Sequence, residues 1–182
     1  MERLHILCSR FLFLIVLVAY VPRASAEPCD SITLPTELKN ILGKEFAGWN
    51  VVTPELLSSP DDRQIWNEGY SSECPGIIRG HFRGKQTEYV VSLVRGADNT
   101  LEQQIVFFEA SREGLKKLII DPPSHVAVVT VLRKFAPGVY RSAETDRSVK
   151  VRFDTIGISE IEAGAVVLYW DGKRFRRIVT SV

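Results

Sequence analysis

Four basic side chains recur at every second position near the middle of the 182-residue chain. They are Arg79, His81, Arg83 and Lys85, and small or apolar residues separate them. In an extended segment, side chains two residues apart share a face, so this spacing predicts a basic stripe. The stripe could bind a phosphate, a carboxylate or an acidic protein surface. Alternatively, it is a solvated strand whose charges prevent pairing between sheet edges.

A second basic cluster lies near the carboxyl terminus, directly after the hairpin signal Asp171-Gly172. It consists of Lys173, Arg174, Arg176 and Arg177. The cluster could extend the basic stripe, or it could pair with acidic residues earlier in the chain. Surface ion pairs of that kind contribute about 0–1 kcal/mol each.

Large aromatic and acidic residues offer two further kinds of site. Trp49, Trp66 and Trp170 could line a ligand groove, although core packing is the more usual role of scattered tryptophans. A carboxylate pair for hydrolysis could come from the acidic segment that holds Asp61, Asp62, Glu68 and Glu73. For Asp61 and Asp62, stabilisation of a helix start explains the sequence better.

Motifs of metal and nucleophilic chemistry are missing from the sequence. There is no H-E-x-x-H, C-x-x-C, G-x-S-x-G or P-loop pattern. We therefore predict no metal, no cofactor and no catalytic residue. The net charge of +1 is too small for a general nucleic-acid binder.

The amino terminus has the pattern of a secretory signal peptide. Arg3 and Arg10 precede an apolar run from Phe11 to Val21, and Ala24-Ser25-Ala26 is a small-residue cleavage site. The run is too short to span a bilayer, and no second run of spanning length follows. We predict removal of residues 1–26 and a secreted or periplasmic mature chain without a membrane span.

Two cysteines remain after that cleavage, Cys29 and Cys74. In an oxidising compartment an even pair predicts one disulfide. A loop of this length would be worth about 4 kcal/mol in the chain-entropy model. The alternative, a catalytic cysteine, requires a free thiolate beside a base, and nothing marks His81 as that base.

Charge divides the mature chain into two halves. Residues 27–76 sum to −6 and residues 77–182 to +5. The sequence of the acidic half predicts two helices, at Leu34–Phe46 and at Pro60–Glu68. Thr33 is expected to cap the first helix, and an extended segment is expected at Asn50–Val52. No linker separates the halves. We therefore predict a single α+β domain over residues 27–182, with N-terminal helices packed on an antiparallel sheet of hairpins and one disulfide.

The basic half reads as strands. We predict them at Ile77–Phe82, Thr87–Val94, Leu101–Glu109, Leu115–Ile120, Val126–Phe135, Val149–Phe153, Ile156–Ile161, Ala165–Trp170 and Phe175–Thr180. The segment Val126–Phe135 also fits a helix, but its short length and β-branched residues favour a strand. Asp121-Pro122-Pro123 is expected to stop the fourth of these strands.

The segment from Cys74 to Gly84, followed by Glu88 to Leu93, resembles the Asp-rich loop and strand of FG-GAP/VCBS-type repeats in secreted bacterial proteins. Leu168 to Phe175 is similar to the closing hairpin of small secreted domains that carry such a loop. In the family, alternating carboxylates of the loop can bind calcium. Here His81 and Arg83 occupy the first two Asp positions, the third falls near Lys85, and Glu88 alone keeps an acid. The resemblance therefore implies the hairpin without the metal.

These patterns favour a non-enzymatic binding or accessory domain, secreted or periplasmic. Its partner would be an anionic protein or a component of the cell envelope. One form of this function is an inhibitor that presents a loop to an extracellular enzyme. The alternative is a cell-envelope hydrolase that uses a carboxylate pair.

Overall fold

The computed structural model describes residues 29–30, 32–97, 100–161 and 163–180. The predicted signal peptide, residues 1–26, lies outside these ranges. Within them, no helix has the length and hydrophobicity needed to cross a membrane.

Two α-helices and a short 3₁₀ turn form in the acidic half of the chain. Helix α1 spans Thr36–Glu45, the 3₁₀ turn spans Pro54–Leu56, and helix α2 spans Pro60–Gly69. Helix α2 begins with a capping box, because the Ser59 side chain accepts from the backbone N–H of Asp62 and the Asp62 carboxylate accepts from that of Ser59. The predicted Thr33 cap is wrong. Pro35 occupies the N-cap position of α1, and its side chain has no polar atom that could accept a hydrogen bond from the helix.

The first sheet is antiparallel and contains five strands. They are β1 (Asn50–Val51), β2 (Ile77–Gly80), β3 (Glu88–Ala97), β4 (Thr100–Ser111) and β5 (Gly114–Val126). The order is β1-β3-β4-β5, and β2 pairs with β3 beside β1. Strand β5 therefore forms one edge of this sheet.

The second sheet is also antiparallel and comes from the last third of the chain. Strand β6 (Val131–Phe135) is followed by a two-stranded ribbon of β7 (Gly138–Arg141) and β8 (Ser148–Val151). That ribbon is separate from the second sheet. The second sheet is completed by β9 (Thr155–Ser159), β10 (Ala165–Trp170) and β11 (Phe175–Thr180). The order in this sheet is β11-β10-β9-β6.

The hydrophobic core lies on both faces of the first sheet. One face packs against α1, with Leu38 and Phe46 beside Val91 and Phe108. The other face packs against the second sheet through residues that include Val90, Ile105, Phe107, Leu132 and Ile156. Strand β4 is buried on both faces, so its run from Ile105 to Phe108 is apolar at every position rather than alternating. The molecule thus has three layers: helix, sheet and sheet.

The predicted α+β class, antiparallel pairing and disulfide are confirmed. The predicted N-terminal position of the helices is wrong, because the first helix begins only at Thr36, and also later than the predicted start at Leu34. The second sheet as a separate layer was not predicted. Helix α2 covers one end of the molecule, where Trp66 packs against Val52, Val94 and Val131.

A buried glutamine connects the two sheets. Gln103 of β4 donates from its amide nitrogen to the Ser92 hydroxyl and the Thr130 carbonyl, both at 2.8 Å. Its amide oxygen accepts from the backbone N–H of Thr130 at 3.0 Å and from the Thr130 hydroxyl at 3.1 Å. Because Thr130 directly precedes β6, these bonds hold the entry to the second sheet against the first.

The predicted end of β5 at Asp121-Pro122-Pro123 is wrong, because the strand continues to Val126. Proline lacks the N–H that a central strand must donate, but β5 has a partner on one side only. The register with β4 shifts on either side of Ile105, which accommodates the prolines as an irregularity.

The observed boundaries of the other strands lie closer to the predicted ones than the end of β5 does. The predicted strand at Val126–Phe135 is formed only over Val131–Phe135, and Gly138–Arg141 forms a strand that was not predicted. Strands β10 and β11 have the predicted bounds. The turn between them has four residues, because Trp170 pairs with Phe175.

The disulfide joins Cys29 to Cys74, as predicted, across 45 residues of sequence. Cys74 is buried in the core between α1 and the first sheet. The bridge therefore fastens the segment before α1 to the segment that enters β2. Since both sulfurs are bonded, neither is the free thiolate that a catalytic cysteine requires.

A candidate anion-binding surface

The predicted basic stripe does not lie along one strand. Strand β2 ends at Gly80, and residues 81–87 form an irregular loop. The backbone N–H of His81 donates to Asp154 at 2.9 Å, and the His81 ring lies 3.0 Å from the Gln86 carbonyl. These bonds bend the chain away from the strand direction, so the two-residue alternation does not place the four cations on one face.

Arg83 points into the molecule and holds this loop in place. Its Nε donates to Glu88 at 2.9 Å, its backbone N–H donates to the same carboxylate, and its guanidinium also pairs with Glu109. The guanidinium lies over the rings of Phe107, at 4.7 Å, and Trp170, at 5.2 Å. Arg83 is therefore a structural anchor rather than an exposed ligand.

The acid that the family resemblance keeps in the loop is thus engaged by Arg83. Glu88 is 4% exposed and accepts both of the bonds just described. Among the described residues no group of three or more His, Cys, Asp or Glu side chains could hold a metal ion. The likeness to FG-GAP/VCBS-type repeats stays a prediction.

Three adjoining recesses surround this loop. The first contains Lys85 and is bounded by Trp170. The second lies against the same tryptophan and contains Lys150 and Arg152. The third contains Arg79, His81, Lys134 and Asp154. The first and third recesses share the loop 81–87, and the first and second share Trp170.

We define the basic surface as the cations of these recesses and of the turn beside them. Its members are Arg79, Lys85, Lys134, Lys150, Arg152, Lys173 and Arg174, all exposed. Within the described part of the chain, none of them lies in an ion pair with a carboxylate.

The acids on the same surface are already engaged. Asp171 accepts from the backbone N–H groups of Lys173 and Arg174, both at 2.9 Å, and from Arg176 Nε at 2.6 Å. These bonds hold the pKa of Asp171 far below its usual range, so it is ionised at neutral pH. Together with the bonds to Asp154 and Glu88, they leave the free charge of this surface positive.

Two residues of the predicted second cluster therefore behave differently. Arg176 pairs with Asp171, whereas Arg174 is exposed and belongs to the basic surface. In the described ranges, no cation of this cluster forms an ion pair with the acidic half. That contact comes from β5 instead, where Lys117 pairs with Glu45 and the backbone N–H of Leu115 donates to Glu37 at 2.9 Å.

The three tryptophans do not share a groove. Trp66 is fully buried, and its indole N–H donates to the Glu73 carbonyl at 3.3 Å. Trp49 lies under the guanidinium of Arg95, at 4.5 Å. Trp170 lines the basic surface, where it separates two of the recesses.

The four acids considered for hydrolysis do not gather around Trp66. Asp62 is used in the capping box of α2, and Glu68 accepts from Gln64 at 2.7 Å. Asp61 is exposed, and Glu73 lines a different recess from the cavity beside Trp66. No observation on these residues favours a carboxylate pair.

Sequence reasoning missed Lys134, Lys150 and Arg152. Lys134 lies on β6 of the second sheet and shares a recess with His81 and Thr87. Lys150 and Arg152 lie on or next to β8 of the separate ribbon and share a recess with Trp170, which also bounds the recess of Lys85. Compared with known proteins, the chain matches no family model, no curated protein and no solved structure.

Proposed function

We propose that the chain is a secreted or periplasmic binding domain without catalytic activity, and that its basic surface recognises an anionic partner protein or envelope component. The observation that carries this proposal is the contrast between engaged acids and unpaired cations on one surface. A patch with that imbalance attracts acidic partners and accelerates their association.

The shape of the surface supports a protein partner in particular. Trp170 presents a half-buried aromatic ring between two cationic recesses. Tryptophan and arginine are enriched where proteins contact each other, because they combine apolar area with a polar group. An acidic protein surface with an apolar centre would complement both features.

An inhibitor-like mode of binding is one form of this proposal. The loop 81–87 is held by Arg83 at one point and by the bond from His81 to Asp154 at another. A loop fixed in advance loses little conformational entropy on binding, which is how rigid inhibitors gain affinity. Secretion is supported by the disulfide and by the leader-like residues 1–26.

The proposal is tested with two charge-matched triple variants of the oxidised protein, residues 27–182. One carries Lys134→Gln, Lys150→Gln and Arg152→Gln. The control carries Lys39→Gln, Lys44→Gln and Arg112→Gln, which removes three exposed cations that lie outside the basic surface and also form no ion pair in the described chain. Binding to poly-L-glutamate is measured at low and physiological salt.

We expect the first variant to bind at least about 10-fold more weakly than the control, which should resemble the unmodified protein. Equal loss in both variants would mean that only net charge matters and would overturn the proposal. The same pair then screens proteins captured from an envelope extract. A true partner is retained by the control and lost by the first variant.

A further inference from the structure

A separate cavity of about 400 Å³ lies between α2, β6 and the connection from β9 to β10. Its walls are mainly apolar and include Ile65, Trp66, Tyr70, Val131 and Ile161. One cation, Arg133 of β6, also lines it. Cavities of this size, apolar with a few polar groups, are typical of sites for small organic ligands.

The side chain of Arg133 is half-buried and has no hydrogen-bond or ion-pair partner among the described residues. Its Nε is buried and makes no hydrogen bond, and none of the ion pairs of the described chain includes it. The guanidinium is stacked over Tyr70, at 4.3 Å, and near Phe135, at 5.3 Å. Buried donors are nearly always paired in folded proteins, so the unpaired Nε is an exception, and Arg133 as a whole is a cation at the cavity wall without an acceptor in the described chain.

Arg83 provides an internal comparison. It also lies over two aromatic rings, but two carboxylates, Glu88 and Glu109, complete its surroundings. Arg133 has the same kind of aromatic contacts without the acids. The structure therefore supplies acceptors at Arg83 and, among the described residues, none at Arg133, which lines a cavity.

We propose that this cavity binds a small organic carboxylate with an apolar body. The carboxylate would pair with the two terminal nitrogens of the Arg133 guanidinium, since Nε is buried. The body would lie against Ile65, Trp66 and Ile161. Glu160 also lines the cavity and is exposed, and because its charge opposes every ligand anion, the ligand's single carboxylate must lie at Arg133. This site is independent of the basic surface and of the function proposed for it.

The probes are phenylacetate and 4-methylpentanoate, with neutral phenylacetamide as their control. Each is titrated into the oxidised protein, and the NMR signals of the Trp66 indole and the Tyr70 amide are followed. We expect saturable shifts for both carboxylates, with dissociation constants of about 1 mM or tighter. Phenylacetamide should bind at least about 10-fold more weakly, because it cannot form the charged pair.

Two variants separate binding from a structural role of the arginine. Arg133→Met keeps the unbranched side chain, removes the charge and should weaken phenylacetate binding at least about 10-fold. Arg112→Met, at an exposed turn, is the matched control and should leave it unchanged. Ala163→Leu keeps Arg133 but fills part of the cavity, and it should weaken both carboxylates.

Three results would overturn the proposal. One is that neither carboxylate shifts these signals at about 10 mM, which is ten times the weakest expected dissociation constant. Another is that Arg133→Met folds and binds phenylacetate as the unmodified protein does. If Arg133→Met does not fold, Ala163→Leu decides, and unchanged binding in that variant would refute the site.

Discussion

Two arginines that both contact aromatic rings differ in whether a carboxylate is bound to the guanidinium. Arg83 and Arg133 each contact two aromatic rings, yet only Arg83 has carboxylate partners among the described residues. The residue type alone therefore does not distinguish a structural cation from a binding one. The partners within hydrogen-bond distance make that distinction, and they become visible only in three dimensions.

Asp171 gives a prediction at the same scale. Three donors from its own hairpin turn hold its carboxylate and lower its pKa in the folded protein. A lowered pKa means that the carboxylate stabilises the fold above its unfolded pKa, near 3.8, and that this contribution falls as the pH drops further. Asp171→Asn should be less stable than the unmodified protein at neutral pH.

The measurement is urea unfolding of both proteins from pH 7 to pH 2. The difference in their stability should be constant above about pH 5 and should shrink below pH 3.8. Because the other carboxylates titrate in both proteins, their effects cancel in the difference. A difference that does not change with pH would show that Asp171 contributes no charge interaction.

Gly76 illustrates how one backbone position fixes several elements. Its carbonyl accepts from the N–H of Ser92 at 2.8 Å, and the Ser92 carbonyl accepts from the N–H of Val52 at 3.1 Å. A Cβ at position 76 would meet the Val52 carbonyl oxygen and would lie 2.7 Å from the Val52 nitrogen. A rigid backbone cannot move away as a flexible side chain can, so only glycine fits between β1 and β2.

We expect Gly76→Ala to lower the free energy of unfolding by about 1–3 kcal/mol, as overpacking in a core does. Gly84→Ala is the matched control, because a Cβ there meets no atom within 4 Å. Urea denaturation of both variants provides the test. Equal free energies of unfolding for the two variants would show that the backbone at Val52 can move away from a Cβ at position 76 without loss of stability.

The elements that could be predicted are those with local signals. Strands β10 and β11 follow from their alternation around Asp171-Gly172, and α2 follows from Ser59-Pro60. The end of β5 could not be predicted, because the effect of Pro122 depends on whether the strand lies at an edge. Edge position is set by the whole sheet and leaves no mark in the local sequence.

The candidate surface was predictable only in part for the same reason. Arg79 and Lys85 were found from their spacing, although the loop that connects them is not a strand. Lys134, Lys150 and Arg152 carry no local pattern that relates them to this loop. Lys134 reaches the loop through the position of β6 in the second sheet, and Lys150 and Arg152 approach Trp170 through the separate ribbon of β7 and β8.

At the scale of the whole molecule, the acidic half makes polar contacts with the basic half where α1 meets β5. Glu37 and Glu45 of α1 bind the backbone N–H of Leu115 and the side chain of Lys117 on β5. The net charges of −6 and +5 in the two halves are partly matched there. The basic surface lies elsewhere and keeps its cations unpaired within the described residues.

The disulfide gives a prediction for the stability of the whole molecule. Replacing both Cys29 and Cys74 by Ala should lower the free energy of unfolding by about 2–5 kcal/mol, since the unfolded chain loses its cross-link. Urea unfolding of the oxidised protein and of the double variant measures the difference. A reductant should destabilise the unmodified protein and leave the double variant unchanged. Two free thiols in freshly exported protein would contradict the bridge in its natural compartment.

The contacts of Gln103 have a consequence for how the molecule opens. Thr130 lies in a connection outside the strands, yet its backbone N–H is held by a buried amide of β4. That hydrogen is protected as long as the contact with Gln103 persists. Slow exchange should therefore extend from β4 into the connection before β6, and the two sheets should open as one cooperative unit.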